Sequence, residues 1–162
     1  MAIWQVPFRL KKSNGFLHIN NNTFLQSLKI LDKALPQEIS WCENYKQYGN
    51  IESTVIEFDF SEVIIDCIFL RIDLRNVTKQ QLQEICEFSQ KNDLVMDYDG
   101  LLYEVNLDNF IKIFQISQAY KFLRNPHTFL KKLTDKTGTN QGTVSVKTSS
   151  EESKKGNKKE SP

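Results

Sequence analysis

Residues 54–75 hold two β-rich runs, the first a clean apolar–polar alternation and the second largely apolar on both faces until Arg71, and that pattern leaves the chain few folds to choose from. Successive side chains of a β-strand point to opposite faces, so alternation marks a strand with one face buried. In the first run Thr54, Ile56, Phe58 and Phe60 share one side, with Val55, Glu57 and Asp59 on the other. Ser61-Glu62 then reads as a turn. A longer run over residues 63–75 puts Ile64, Ile68, Leu70, Ile72 and Leu74 on one face. Its opposite face changes from Val63, Ile65, Cys67 and Phe69 to Arg71, Asp73 and Arg75, as expected of a strand solvated at its far end.

Around this pair the chain reads as a sequence of short elements. Residues 3–10 predict a strand that Pro7, lacking an N–H, confines to a sheet edge. Ser13-Asn14-Gly15 is a turn, followed by an apolar patch at Phe16-Leu17. Asn22 or Thr23 can cap a helix over residues 23–35, whose Phe24, Leu28, Leu31 and Leu35 fall on one face before Pro36 stops it. Residues 37–50 give a mixed signal, with aromatic area at Trp41, Tyr45 and Tyr48 and a turn at Gly49-Asn50. Thr78 and Gln81 form a capping box that opens a helix to residue 91 and turns Leu82, Ile85 and Cys86 inward. Strands over 94–98 and 101–105 flank Asp99-Gly100, a pair suited to the positive φ angles of a type I′ hairpin. One long helix is expected over residues 107–124, broken by Asn125-Pro126, with a final turn to Phe129-Leu130. This order predicts an α+β domain, a mainly antiparallel sheet with about three helices on one face.

Composition supports one domain over residues 1–133. The chain is 40% hydrophobic, with 11 Phe and only 6 Gly, which suits a packed core and not a disordered chain. After Leu133 the residues are rich in Ser, Thr, Lys, Gly and Asn, and only Val144 and Val146 are aliphatic. Such a stretch buries too little to offset about 1–2 kcal/mol per residue of backbone ordering, so residues 134–162 read as a disordered polar tail. The three cysteines, Cys42, Cys67 and Cys86, lack the spacing of a disulfide framework or a metal knuckle. Cys67 and Cys86 read as small buried hydrophobes suited to a reducing cytoplasm. The start of the chain has no signal-peptide pattern, and no run approaches the roughly 20 apolar residues of a membrane span. A cytoplasmic protein is expected.

The net charge of +1 argues against a strongly basic nucleic-acid binder. Lysines 154, 155, 158 and 159 of the tail alternate with Glu151, Glu152 and Glu160, which weakens their local potential. No Gly-rich phosphate cradle, His-rich metal spacing or nucleophile elbow is present, and neither a cofactor nor a catalytic residue is assigned. Asp97-Tyr98-Asp99-Gly100 superficially resembles a calcium loop. The Leu101, Leu102, Tyr103 and Val105 that follow do not supply the oxygen ligands such a loop needs.

Two surfaces remain as candidates. Arg71, Asp73 and Arg75 at intervals of about 6.6 Å along one strand face would present an anion or carboxylate site. The plainer alternative is a solvated face on which Glu57 and Asp59 pair with the two arginines. For protein binding, Trp4, Trp41, Tyr45, Tyr48 and Tyr103 offer amphipathic rings, and Asp93, Asp97, Asp99, Glu104 and Asp108 form an acidic group around the hairpin. The residues singled out for a partner are Asp97, Asp99, Glu104, Arg71, Asp73, Arg75, Trp41 and Tyr48.

One combination of motifs resembles a known group. It comprises the strand ending Arg71-Ile72-Asp73-Leu74-Arg75, the capped helix, the run from Leu94 to Gly100, and the pattern Ser117, Ala119-Tyr120, Phe122, Pro126 and Phe129-Leu130. Over about residues 50–133 this resembles small bacterial α+β proteins that include immunity proteins encoded beside toxins of competition systems. The resemblance implies a cognate toxin as partner, bound non-covalently without catalytic residues. The tail has no counterpart in that pattern. The alternative function is a small-ligand or anion-binding protein, or an enzyme, using the Arg71/Arg75 face.

Overall fold

A computed structural model describes residues 2–39 and 42–137; Trp41 and the tail from residue 138 lie outside the described residues. The elements run β1 (Gln5–Lys12), β2 (Leu17–His18), α1 (Asn22–Ala34), β3 (Gln37–Glu38), β4 (Tyr45–Gly49), β5 (Val55–Ser61), β6 (Ile64–Asp73), α2 (Lys79–Lys91), β7 (Leu94–Tyr98), β8 (Leu101–Glu104), α3 (Leu107–Ile116), α4 (Gln118–Arg124) and α5 (Pro126–Thr137). The class is α+β. One antiparallel sheet has the order β3-β4-β5-β6-β1-β7-β8, with β2 paired to β6 beyond the end of β1.

The two β-rich runs form the β5–β6 pair, and a register shift at Asp59/Phe60 corrects one detail. Asp59 faces Cys67 but Phe60 faces Ile65, so the phase of β6 flips and Ile65 turns inward to 8% exposure. Val6, Phe8, Leu10, Ile56, Phe58, Phe60, Ile68, Leu70, Ile72 and Met96 then line one face. They form a single core with Phe24, Leu28 and Leu31 of α1, Leu82, Ile85 and Phe88 of α2, Phe110 and Ile113 of α3, and Ala119 of α4. The other face carries a row set by the register: Gln47, Glu57, Phe69, Arg9, Asp97 and Leu102, each half-buried or exposed.

Local signals explain the helix starts. Asn21, one residue ahead of the expected cap, accepts hydrogen bonds from the amides of Thr23 and Phe24. The Thr78/Gln81 capping box forms with both bonds present. Asp99 and Gly100 turn the β7–β8 hairpin at φ +51° and +80°.

Three expectations need correction. β1 is interior, between β6 and β7; its ladder to β7 begins only at Arg9, so at Pro7 one side of the strand is open and no N–H is missed. The long final helix is two, because Ser117 adopts extended angles (φ −65°, ψ 154°) and its Oγ accepts from the Tyr120 amide to cap α4. Pro126 opens a full helix and not a turn: it sits at the first helical position, and the Asn125 side chain accepts from the Thr128 amide. That helix runs through Thr137, past the boundary expected at 133.

Gly49 closes β4 where the backbone doubles back. Its φ is +81°, and a Cβ there would lie 2.3 Å from the Thr54 carbonyl oxygen. Gly49→Ala is expected to destabilise the fold by about 2 kcal/mol or more, and Gly100→Ala, at positive φ but in open space, by about 1 kcal/mol. Equilibrium urea unfolding of the two variants measures the difference.

Candidate functional site

The charged end of β6 is a knot closed on itself. β6 stops at Asp73, so Arg75 sits in the following turn and not on the strand face. Asp73 is fully buried. Its Oδ1 accepts from the Arg75 amide at 2.9 Å and from Arg75 Nε at 3.0 Å, and its Oδ2 accepts from Nη2 at 2.7 Å. This two-pronged pair is the geometry in which a guanidinium binds a carboxylate most strongly. Burial by itself would raise the Asp73 pKa, but the bonds and charge of Arg75 outweigh it and hold the carboxyl below the usual range.

Arg75 also stands over the Trp4 ring, its Cζ 3.9 Å from the ring centroid. Behind them Gln5 is buried, donating from Nε2 to the carbonyls of Ile51 and Ser53 at 3.0 and 2.7 Å. The start of β1 is thereby tied to the loop ahead of β5, with a cleft of about 530 Å³ between them lined by Trp4, Gln5, Ile51, Glu52, Arg71 and Arg75.

Arg71 pairs with Glu57, as the sequence suggests, and Glu57 also accepts from the Tyr45 hydroxyl. Burial and then the Glu57 carboxylate push the Tyr45 pKa up, so that hydroxyl stays a donor. Asp59 does not take the second arginine; Asp73 does. The sequence offers Trp4 only as an interface ring, not as a platform for Arg75, and gives Gln5 no role. Gln5 stands in phase with Pro7, Arg9 and Lys11 on the non-core face, but the loop that folds over it leaves no local trace.

The hairpin is the second surface. Asp97 bonds Lys11 of β1 and accepts from the Gly100 amide at 3.0 Å, and Asp93 pairs with Lys12. The Lys11 hydrogen bond is the main reason that the Asp97 pKa is lowered. Asp99, Glu104 and Asp108 are exposed and have no ion pair among the described residues. Between the first two, Leu101 and Leu102 are 61% and 63% exposed on the outermost strand of the sheet. The hairpin and the charged knot are separate, with β1 and β7 between β6 and β8.

Of the rings expected at an interface, Tyr48 is a correction. It is 4% exposed, edge-on to Phe58 at 5.9 Å, because alternation in β4 points it into the core. Trp41 lies outside the described residues. Burial pushes the Cys86 thiol up to about 11, and it also raises that of Cys67, which is half-buried on the open sheet face. Both shifts move these thiols away from nucleophilic use. Among the described residues, no group of three His, Cys, Asp or Glu is placed to hold a metal, and no helix is long and apolar enough to cross a membrane.

The native pKa of Asp73 lies below the unfolded value of about 4, so its stabilisation is complete above that pH and fades as pH falls through the native pKa. Asp73→Asn is expected to cost about 1–3 kcal/mol at neutral pH. The gap to wild type narrows in acid, below about pH 4, and urea unfolding at the two pH values measures both. No protein-family model, no curated protein and no solved structure matches this chain.

Proposed function

We propose that this chain is a non-catalytic protein-binding module that presents the β7–β8 hairpin to a basic partner surface. The observation that carries the reading is the edge strand β8. It pairs with β7 alone among the described residues, exposes two leucines, one towards each sheet face, and is bracketed by Asp99 and Glu104, neither of which is in an ion pair among the described residues. Soluble proteins blunt or cover such an edge, because its free N–H and C=O groups recruit other chains. An apolar centre with a charged rim is the anatomy of a protein contact. The carboxylates would steer a basic partner and fix its orientation.

Within the acidic group the residues differ in role. Asp97 and Asp93 spend their charge on Lys11 and Lys12 and hold the hairpin to β1, whereas Asp99 and Glu104 are available to a partner. The sharper form of the proposal is toxin neutralisation in a reducing cytoplasm. It is supported by the resemblance over residues 50–133.

Affinity capture with the tagged full chain from lysate of its source tests both levels. One stoichiometric protein partner is expected, bound at least about tenfold more weakly by Asp99→Lys/Glu104→Lys, with the thermal midpoint nearly unchanged. A partner with toxin architecture supports the sharper form. Equal capture by the double variant removes the hairpin from the interface, and an absence of any partner counts against the module reading.

A further inference from the structure

We propose that the cleft between the start of β1 and the loop ahead of β5 binds a single carboxylate group. Two N–H donors carry the argument. Trp4 Nε1 and Arg71 Nε are each buried without a hydrogen-bond partner, and both residues line this cleft together with Arg75. Buried donors are almost always paired in folded proteins. Two unpaired donors on one cleft therefore point to an acceptor supplied from outside the chain.

The walls are built to hold a shape. Gln5, 4% exposed, spends both ends of its amide on the backbone, donating to Ile51 and Ser53 and accepting from the Ala2 amide at 3.1 Å. Arg75 Nη2 also reaches the Glu52 carbonyl at 3.4 Å, so one side chain joins the Trp4 ring, Asp73 and the loop.

The charge balance selects the ligand. Arg71 and Arg75 are already matched by Glu57 and Asp73, and Glu52 adds another carboxylate to the rim. Directed donors, and not net positive charge, are what the cleft offers. A phosphate dianion would meet about twice the repulsion that a carboxylate meets there, and a carboxylate also brings two coplanar oxygens for two N–H groups. Both donor atoms are sealed from solvent, so binding requires the side chains that cover them to shift. The carboxylate belongs either to a free small acid or to the C-terminus of a peptide. This site is separate from the hairpin, and failure of either reading leaves the other standing.

The test reads the indole N–H directly. The chain has two tryptophans, so Trp41→Phe leaves Trp4 as the sole indole signal in a ¹H–¹⁵N spectrum. The full chain is titrated with acetate, a short peptide with a free C-terminus, the same peptide amidated, inorganic phosphate, and sodium chloride at matched ionic strength. The signal is expected to move downfield and saturate with acetate and the free-acid peptide, and to stay with chloride and the amide. Tighter binding of the peptide than of acetate assigns the carboxylate to a chain terminus; equal binding assigns it to a small acid. Arg71→Lys keeps the charge but removes Nε, and is expected to weaken binding about tenfold. An indole signal that ignores both carboxylates, or follows chloride equally, overturns the proposal. Tighter binding of phosphate overturns the choice of carboxylate.

Discussion

Phe58 packs edge-on against Phe24 of α1 and Phe88 of α2, with ring centroids 5.7 and 5.8 Å away, and against Tyr48 of β4 at 5.9 Å. One side chain from the middle of β5 thus meets both major helices and the neighbouring strand. Edge-to-face pairs of this kind add about 0.5–1.5 kcal/mol each beyond the area they bury. A second cluster does the same on the other side, where Phe8 of β1 meets Phe110 and Phe114 of α3 and Tyr98 of β7. The two clusters hold the helices on one face, and so leave the charged row of Arg9, Glu57 and Asp97 on the other. The surfaces available for function follow from that division.

Features coded within a few residues were legible in the sequence. The alternation around Phe58, the Thr78/Gln81 capping box and the Asp99-Gly100 turn each state their geometry locally, and each formed. Features that depend on a distant partner were not legible. Pro7 suggests an edge because the sequence does not reveal that β7 starts its ladder two residues later. Ser117 sits at a helical spacing among apolar residues, and only its role as a cap separates α3 from α4. Tyr48 looks like a surface anchor until β4 is placed beside β5.

The candidate surfaces divide along the same line. The hairpin was found because its turn, its leucines and its carboxylates are contiguous. The arginine pair was found as residue types but misplaced as geometry. Arg75 left the strand for the turn because its amide and guanidinium are both satisfied by one buried carboxylate two residues back. In this molecule the carboxylates of Asp73, Glu57 and Asp97 serve the fold, and those of Asp99 and Glu104, which flank the leucines in sequence, form no ion pair among the described residues.

The position of β1 has a consequence for how the molecule assembles. It is the first strand in the sequence, yet both of its neighbours come much later: Phe8 pairs with Leu70, and Arg9 with Asp97. Among the described residues the sheet halves β3–β6 and β7–β8 meet only through it. Each half contains a local hairpin that closes a short loop, whereas seating β1 closes two long ones, a slower step. During synthesis β1 emerges before either of the strands it will join. Completion of the sheet, and with it the cleft beside Trp4, therefore comes late in folding.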